Sequence, residues 1–244
     1  MNRKKMLCLF LMVLLTSTSF AQTVKEIEKS QKAGKSIYII VTDKAAKGTD
    51  ALAKLVTEAQ KKVKNTAVVA LNRDDNANAG LISKYRLSGA PLPIILVVAS
   101  NGVVSGSLST ADASVDKLIS YLPTKTQADV LLGFENGKAA FIICGKKNAK
   151  DIPALTTECK SAITVLGNKA NQFFLDVDSK EEANFLALLT PDKNKTTVLV
   201  FNGKGQNTGT LEATAKSKDL VASVNKKVGG CCPGNSDKSG CGKK

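Results

Sequence analysis

The sequence contains no histidine. Histidine is the usual general base at neutral pH and a common metal ligand in proteins. Its absence excludes Ser-His-Asp and Cys-His catalysis, and it also excludes metal centres built on imidazole. The classes of enzyme and metal site that depend on histidine are therefore ruled out.

Tryptophan is also absent, and arginine is scarce. After residue 21 the only arginines are Arg73 and Arg86. Specific recognition of bases or phosphates favours the bidentate guanidinium group of arginine, whereas scattered lysine is typical of a solubilising surface. Weak attraction to acidic polymers or to a membrane surface is the alternative. The composition therefore predicts no nucleic-acid partner.

The first 21 residues read as a secretory signal peptide. Three basic residues precede an apolar run at 6–15, which is too short to span a bilayer comfortably. Ser19 and Ala21 provide small side chains at the −3 and −1 positions of a cleavage site before Gln22. A retained anchor helix is the alternative. We expect an exported, periplasmic or extracellular protein with no later transmembrane segment, and removal of the three basic residues lowers its formal charge from +14 to +11.

The stretch 87–106 organises the rest of the chain. Pro91 and Pro93 precede a run of strand-forming residues at 94–98, and Asn101-Gly102 follows as a strong hairpin signal. A proline cannot donate to a strand ladder, so it belongs at the start of a strand or in a bend. The pattern predicts a buried strand followed by a hairpin.

Apolar periodicity predicts two halves with the same order of elements. The length remaining after residue 21 suits two domains of about 100 residues each. In the first half, 22–123, the predicted helices are 24–33, 49–64, 77–85 and 113–122, and the predicted strands are 37–41, 67–71, 94–98 and one short strand after Gly102. In the second half, 138–228, the predicted strands are 138–144, 171–177, 197–202 and 208–211, and the predicted helices are 152–165, 181–189 and 218–228. Residues 124–137 are predicted to be a linker, and 229–244 a flexible tail.

Three anchors in the two halves lie at one offset of 103 residues. Ile39-Ile40 corresponds to Ile142-Ile143, and Gly102 and Gly106 correspond to Gly205 and Gly209. A common offset favours an internal duplication, with a coincidence of ordinary βαβ patterns as the alternative. Alternation of strands and helices favours a mainly parallel sheet, with the hairpin as an antiparallel edge.

The α-β-α-β-α-β-β-α order, with a proline ahead of the third strand and a hairpin after it, resembles the thioredoxin fold. The resemblance implies an α/β protein of two tandem thioredoxin-like domains, each a central mixed sheet flanked by helices, with Pro91 or Pro93 as a cis-proline. Thioredoxins carry a Cys-x-x-Cys motif after the first strand, but the corresponding residues here, 42–48, contain no cysteine. The resemblance therefore implies the fold without its redox activity.

Cys144 ends the first strand of the second half. Its position at a helix start and the adjacent Lys146 and Lys147 are consistent with a reactive thiolate, whereas a small buried packing residue is the alternative. Cys159 lies on the next predicted helix and either faces Cys144 as a disulfide partner or packs in the core. Thr196-Thr197 takes the place of the cis-proline in this half.

The remaining cysteines, Cys231, Cys232 and Cys241, lie in a tail rich in Gly, Ser, Lys and Asn. They have three possible uses: a local disulfide, soft-metal binding as thiolates, or disulfide exchange with another protein. A tetrahedral zinc site needs four ligands, and these three fall one short.

Three functional hypotheses follow. The first is a non-enzymatic binding or structural module for another envelope protein, working without a cofactor. The second is a divergent thiol-disulfide oxidoreductase or accessory that uses Cys144 or the tail cysteines. The third is a soft-metal carrier that uses Cys231, Cys232 and Cys241.

Overall fold

The computed structural model describes residues 22–228, which form two successive α/β domains. The predicted signal peptide and the cysteine-bearing tail lie outside these residues. Within them, the longest helices have 14 residues, and none is both long and apolar enough to cross a bilayer. The elements of the first domain are α1 (Gln22–Lys32), β1 (Ser36–Thr42), α2 (Thr49–Lys62), β2 (Thr66–Asn72), a 3₁₀ turn (Asn76–Asn78), α3 (Ala79–Lys84), β3 (Ile94–Val98), β4 (Val104–Ser109) and α4 (Val115–Ser120).

The second domain repeats this order. Its elements are α5 (Lys125–Glu135), β5 (Ala139–Gly145), α6 (Ile152–Val165), β6 (Ala170–Asp176), α7 (Ala183–Leu189), β7 (Thr197–Phe201), β8 (Asn207–Glu212) and α8 (Ser217–Val224).

Each sheet is mixed, with the strand order β2-β1-β3-β4 in the first domain and β6-β5-β7-β8 in the second. Among the strand pairs of residues 22–228, only β1–β2 and β5–β6 are parallel, so the prediction of a mainly parallel sheet was wrong. In both domains the connection to the third strand ends at the carboxyl end of the first strand, where Ile94 pairs with Val41 and Thr197 with Cys144. A strand that begins there runs antiparallel to the first.

The segment 124–137, predicted to be a linker, is mostly the helix α5. The Thr124 hydroxyl oxygen caps it by accepting from the amide of Gln127 at 3.2 Å. Ala128 and Val130 are buried, and the helix packs against β5 and β6 of the second sheet. The segment is therefore the first helix of the second domain, and the linker prediction is corrected.

The 103-residue offset extends well beyond the three sequence anchors. Five pairs of elements begin and end 103 residues apart: α1 and α5, β1 and β5, α2 and α6, β3 and β7, and β4 and β8. Gly34 and Gly137, also 103 apart, have φ of 69° and 68° just after their helices, in the left-handed region where glycine ends a helix without strain. Of the remaining pairs, β2 and β6 begin 104 residues apart, as do α3 and α7, whereas α4 and α8 begin 102 apart. These shifts arise in the connecting loops, where insertions and deletions are tolerated. The two domains are thus one structural plan used twice.

The side chains of each first strand point alternately to the two faces of its sheet, as the pleat requires. In β1, Ile39 and Val41 pack towards α1 and α3, whereas Tyr38 and Ile40 pack towards α2 and α4. In β5, Ile142 and Cys144 lie on the face covered by α5 and α7, and alternate residues face α6 and α8. Each domain therefore has two half-cores separated by a buried first strand.

Candidate functional site

The loop after β1 occupies the position where the family resemblance places a redox motif. Carboxylates hold its backbone: the amide of Ala45 donates to Asp43 Oδ1 at 3.0 Å, and that of Lys44 donates to Asp74 Oδ2 at 2.8 Å. Gly48, with φ of +90°, then leads into α2. The loop is ordered by its own polar contacts, and no thiol stands at the start of the helix.

Arg73 ties this loop to the segment before the third strand. Its guanidinium forms an ion pair with the Asp43 carboxylate and donates to the carbonyl oxygens of Leu87 at 3.3 Å and Ala90 at 2.7 Å. The side chains of Arg73 and Asp43 are 24% and 13% exposed, so the pair is shielded from much of the solvent. We refer to these three contacts as the Asp43–Arg73 latch. It fixes two loops at the carboxyl end of β1.

A cis peptide bond lies beside the latch. Of the two proline candidates, the cis bond is at Leu92–Pro93, and Pro93 is buried whereas Pro91 is exposed. The next residue, Ile94, begins β3 and pairs with Val41 at the end of β1. Pro93 therefore lies at the same end of the sheet as the loop at 43–48, next to the carboxyl end of β1.

The strand order, the strand directions and the proline before β3 together decide the architecture. Both domains have the thioredoxin-like fold. This confirms the predicted class, two tandem thioredoxin-like domains that each contain a mixed sheet flanked by helices. The first domain lacks the cysteine pair at the end of its first strand.

Comparisons with known proteins find similarity among solved structures. Neither a family model nor a curated protein matches the sequence. Among solved structures, thioredoxin O2 from Arabidopsis thaliana in its oxidised state is 15% identical, with 42% of this chain and 84% of that chain covered and a TM-score of 0.34. The reduced C-terminal domain of Neisseria meningitidis DsbD is 18% identical, covering 41% and 91%, with a TM-score of 0.33. The first two thioredoxin domains of Naumovozyma dairenensis Eps1p are 10% identical, covering 85% and 97%, with a TM-score of 0.30.

Cys144 lies at the corresponding strand end in the second domain. Its side chain is fully buried, and its Sγ atom donates to the carbonyl oxygen of Ile142 at 3.7 Å. Burial raises the pKa of this thiol to about 12, the direction opposite to the hypothesis that Lys146 and Lys147 create a thiolate. A protonated, inaccessible thiol is a poor nucleophile. Cys144 stands 103 residues after Val41 and fills the same place in the core.

Cys159 is not a disulfide partner for Cys144. Both cysteines are free and fully buried, but Cys159 lies on α6 in the half-core that α8 also covers, whereas Cys144 faces α5 and α7. The sheet itself separates the two sulfur atoms, because successive strand residues point to opposite faces. Burial, with a smaller contribution from the negative charge of Glu158, raises the pKa of the Cys159 thiol to about 12.

Thr196 takes the position that corresponds to Pro93 and is buried. Its Oγ1 atom lies 3.0 Å from the point where a Cβ atom on Gly145 would stand, so the strand end and the loop pack closely. Beside this contact lies an open groove of about 510 Å³, whose lining includes Lys146, Lys193 and Lys195. The lining also includes Asp151 and Glu212, and Lys195 lies 4.0 Å from Glu212, so this groove at the equivalent end of the second sheet has a small net positive formal charge.

The tail residues Cys231, Cys232 and Cys241 lie outside the described residues, and the hypotheses about them stay predictions. Within residues 22–228, no cluster of three or more Cys, Asp or Glu side chains could hold a metal ion.

Sequence reasoning missed Arg73 as a site residue. Its partner Asp43 is 30 residues away, and the carbonyl groups it binds carry no side-chain identity. The only signal in the sequence was that arginine is scarce, since Arg73 is one of two arginines after residue 21. Arginine provides a planar fork of donors that lysine cannot match.

Proposed function

We propose that the protein is an exported, non-enzymatic binding module in which two thioredoxin-like domains recognise another protein of the cell envelope. The supporting observation is the state of the two strand ends. In the first domain the Asp43–Arg73 latch occupies the place of a redox motif, and in the second the thiol at the corresponding strand end, Cys144, is buried and protonated.

The charged side chains at these two strand ends suggest the nature of the partner. Lys44 and Lys47 are exposed on the loop of the first domain, and the groove of the second domain is lined by Lys146, Lys193 and Lys195. Complementary charge speeds encounter and selects among partners. A partner with an acidic segment therefore fits the sites at both strand ends.

A reductase assay tests the absence of enzymatic activity. We expect the purified mature chain to leave the rate of insulin reduction by dithiothreitol unchanged, since neither domain offers an accessible thiolate among its described residues. Two variants identify the source of any activity: Cys144→Ala and truncation after residue 228. Acceleration that Cys144→Ala abolishes supports the oxidoreductase hypothesis through Cys144, whereas acceleration lost on truncation assigns it to the tail. Either result would overturn the proposal.

Site-specific photocrosslinking in the native compartment tests the binding edge. A photoreactive amino acid at the exposed Pro91 or Asn194 should trap one defined partner band that mass spectrometry can identify. The same probe at Val165, whose side chain is 70% exposed on α6, is the matched control. Equal crosslinking from all three positions would contradict recognition through these edges.

A further inference from the structure

The strand β6 forms one outer edge of the second sheet. Within residues 22–228 it pairs with β5 alone, in a seven-residue parallel ladder without a register shift. The pairing of the opposite outer strand, β8, is interrupted by a β-bulge. β6 also contains neither lysine nor proline, the residues with which proteins commonly block an exposed edge. The edge of β6 is therefore regular and unblocked.

Alternate residues of β6 direct their backbone groups away from the sheet. The amide of Ala139 on β5 donates to the carbonyl oxygen of Lys169 at 2.9 Å, and the amide of Val177 donates to the carbonyl oxygen of Gly145 at 3.2 Å. The amide and carbonyl of one strand residue point to the same side, and that side alternates along the strand. Odd-numbered residues from 169 to 177 therefore face β5, and even-numbered residues face outward. The outward residues with accessible surface are Gln172, Phe174 and Asp176.

These outward groups have free hydrogen-bonding capacity. The backbone amide and carbonyl of Gln172 and of Phe174 make no hydrogen bond with any described residue, and neither does the amide of Asp176. The carbonyl of Asp176 accepts from the amide of Ser179 at 3.0 Å, in the turn that follows the strand. Ala170 also faces outward but is buried. The open part of the edge is therefore 172–176.

The side chains of this open edge are complementary to a second copy of themselves. All three lie on the face of the sheet towards α6, because alternate strand residues share a face. Phe174 is 38% exposed, although it is a large apolar side chain. In an antiparallel pair centred on Phe174, the amide side chain at 172 of one strand lies opposite the carboxylate at 176 of the other. The strand thus presents a donor, an apolar centre and an acceptor in an order that an antiparallel copy matches.

The equivalent strand of the first domain lacks this pattern. β2 begins 104 residues before β6 and pairs with β1 in the same parallel register. The corresponding positions hold Val68, Ala70 and Asn72, which provide neither a charge nor an aromatic ring. The two domains therefore share the backbone of this edge and differ in the side chains along it, so β2 is a matched control for β6.

We propose that β6 pairs antiparallel with β6 of a second copy of this chain, across a two-fold axis at Phe174. The two Phe174 residues exchange a pair of backbone hydrogen bonds, and each Asp176 amide donates to the Gln172 carbonyl of the other copy. The Phe174 rings meet at the centre, and each Gln172 side chain donates to the opposite Asp176 carboxylate. A two-fold contact uses the same surface on both copies, so assembly stops at a dimer. This edge is separate from the loops of the proposed protein-binding function, and either proposal can fail while the other stands.

Sedimentation of the mature chain over a concentration series, with reductant present, tests the proposal. We expect a reversible equilibrium of monomer and dimer without larger species. Phe174→Lys should weaken the dimer at least tenfold, because like charges replace a cross-strand aromatic pair. Val68→Lys, at a side chain that is 37% exposed on β2, is the matched control and should dimerise normally. A chain that stays monomeric up to about 1 mM, a dimer that exists only without reductant, or equal weakening by both variants overturns the proposal.

Opposite charges at one position test the antiparallel register. Gln172→Glu places two carboxylates opposite each other at both ends of the contact and should weaken the dimer at least tenfold. Gln172→Lys faces the same carboxylate with an ammonium group and should dimerise at least as tightly as the unaltered chain. Melting temperatures of the two variants show whether each keeps its fold. Equal weakening by the two charges, in variants that melt alike, overturns this register.

Hydrogen exchange followed residue by residue identifies the strand that covers the edge. The amides of Phe174 and Asp176 should be protected in the dimer and exchange rapidly in the monomer. The amide of Phe173, which faces β5, should be protected in both. Protection of Phe174 that persists in a monomeric sample would show that another segment of the same chain covers the edge, and would overturn pairing between copies.

Discussion

Cys144 and Cys159 carry protonated thiols because the core around each is apolar. Their burial has a consequence for the dependence of stability on pH. A group whose pKa is raised on folding stabilises the fold fully below its unfolded value, and this contribution is lost as the pH rises through the folded value. For both thiols this contribution is lost between about pH 9 and pH 12. Burial also raises the pKa of Tyr38 to about 12, so this residue adds to the loss in the upper part of the same pH range.

We therefore expect the free energy of unfolding to fall as the pH rises from about 9 towards 12. Cys144→Ala should make this decline shallower, because one of the contributing groups is gone. Urea denaturation at a series of pH values measures the slope directly. An identical slope in the variant would show that the Cys144 thiol does not titrate differently in the folded and unfolded states.

Close packing also explains why position 106 is a glycine. A Cβ atom added there would stand 2.8 Å from Cγ of the Tyr121 ring, far inside normal contact. The equivalent Gly209 faces Ser223 Oγ at 3.0 Å. At both of these repeat anchors a neighbouring side chain packs over the strand, so there is no room for a Cβ atom and glycine is required.

Gly106→Ala should destabilise the protein by about 1–3 kcal/mol, the usual cost of overpacking. Gly80→Ala is the matched control, since a Cβ atom at this position in α3 meets nothing within 4 Å. It should stabilise by about 0.5–1 kcal/mol, because alanine is the better helix former. Thermal denaturation followed by circular dichroism distinguishes the two, and equal effects would contradict the packing argument.

At the scale of elements, the sequence predicted most of the fold. Strands β1, β3 and β5 and helix α6 lie within one residue of their predicted bounds, because long apolar runs and helical spacing are unambiguous there. Helix α5 was missed, although the 103-residue offset from the predicted first helix pointed to it. Its composition is mixed and it begins after Pro123 and Thr124, which favoured a linker. The antiparallel third strand was missed because strand direction depends on connection geometry.

The candidate site was less predictable than the fold. The absence of cysteine at 42–48 and the presence of a proline before β3 could be read directly from the sequence. The Asp43–Arg73 latch could not, because it joins three segments that meet only after folding. The burial of Cys144 likewise depends on which residues cover the strand end.

The latch gives a prediction for one connecting segment. Arg73→Gln removes the charge and at least one of the contacts to Asp43, Leu87 and Ala90, so the loop before Pro93 should open more often. We expect a loss of about 1.5–3 kcal/mol in stability, as for hydrogen bonds to a charged group. Hydrogen exchange should rise at residues 87–92.

An exposed ion pair provides the control for this variant. Lys62 and Asp116 lie 3.5 Å apart with side chains 60% and 91% exposed, so Lys62→Gln should change stability by less than about 1 kcal/mol. If Arg73→Gln is equally mild and exchange at 87–92 is unchanged, the latch does not order the loop.

At the scale of the whole molecule, the two domains meet through a small patch of small side chains. Ala99, Val103 and Ala128 are buried there, with Leu131 packed against them. The hydrogen bond from Asn101 to the Ala128 carbonyl crosses the same patch. Such a junction couples the domains only while it stays apolar and closely packed.

Val103→Asn should weaken that coupling. The variant buries an amide without a partner at the junction, at a cost of about 1–3 kcal/mol. We expect calorimetry to show a broader or divided unfolding transition, with each domain keeping its own fold. Val165→Asn, at a valine that is 70% exposed, should leave the transition shape unchanged. Identical traces for the two variants would mean that the domains already unfold independently.

Each domain also carries a β-bulge in its final hairpin, between Val97 and Val98 in one and between Val200 and Phe201 in the other. The strands next to these bulges, β4 and β8, are the outer strands of their sheets. A bulge bends and twists the edge, so a strand from another molecule finds no regular row of partners to extend. Both domains therefore have this protection at one outer strand. A concentrated solution of the protein should resist growth into fibrils along the edges formed by β4 and β8.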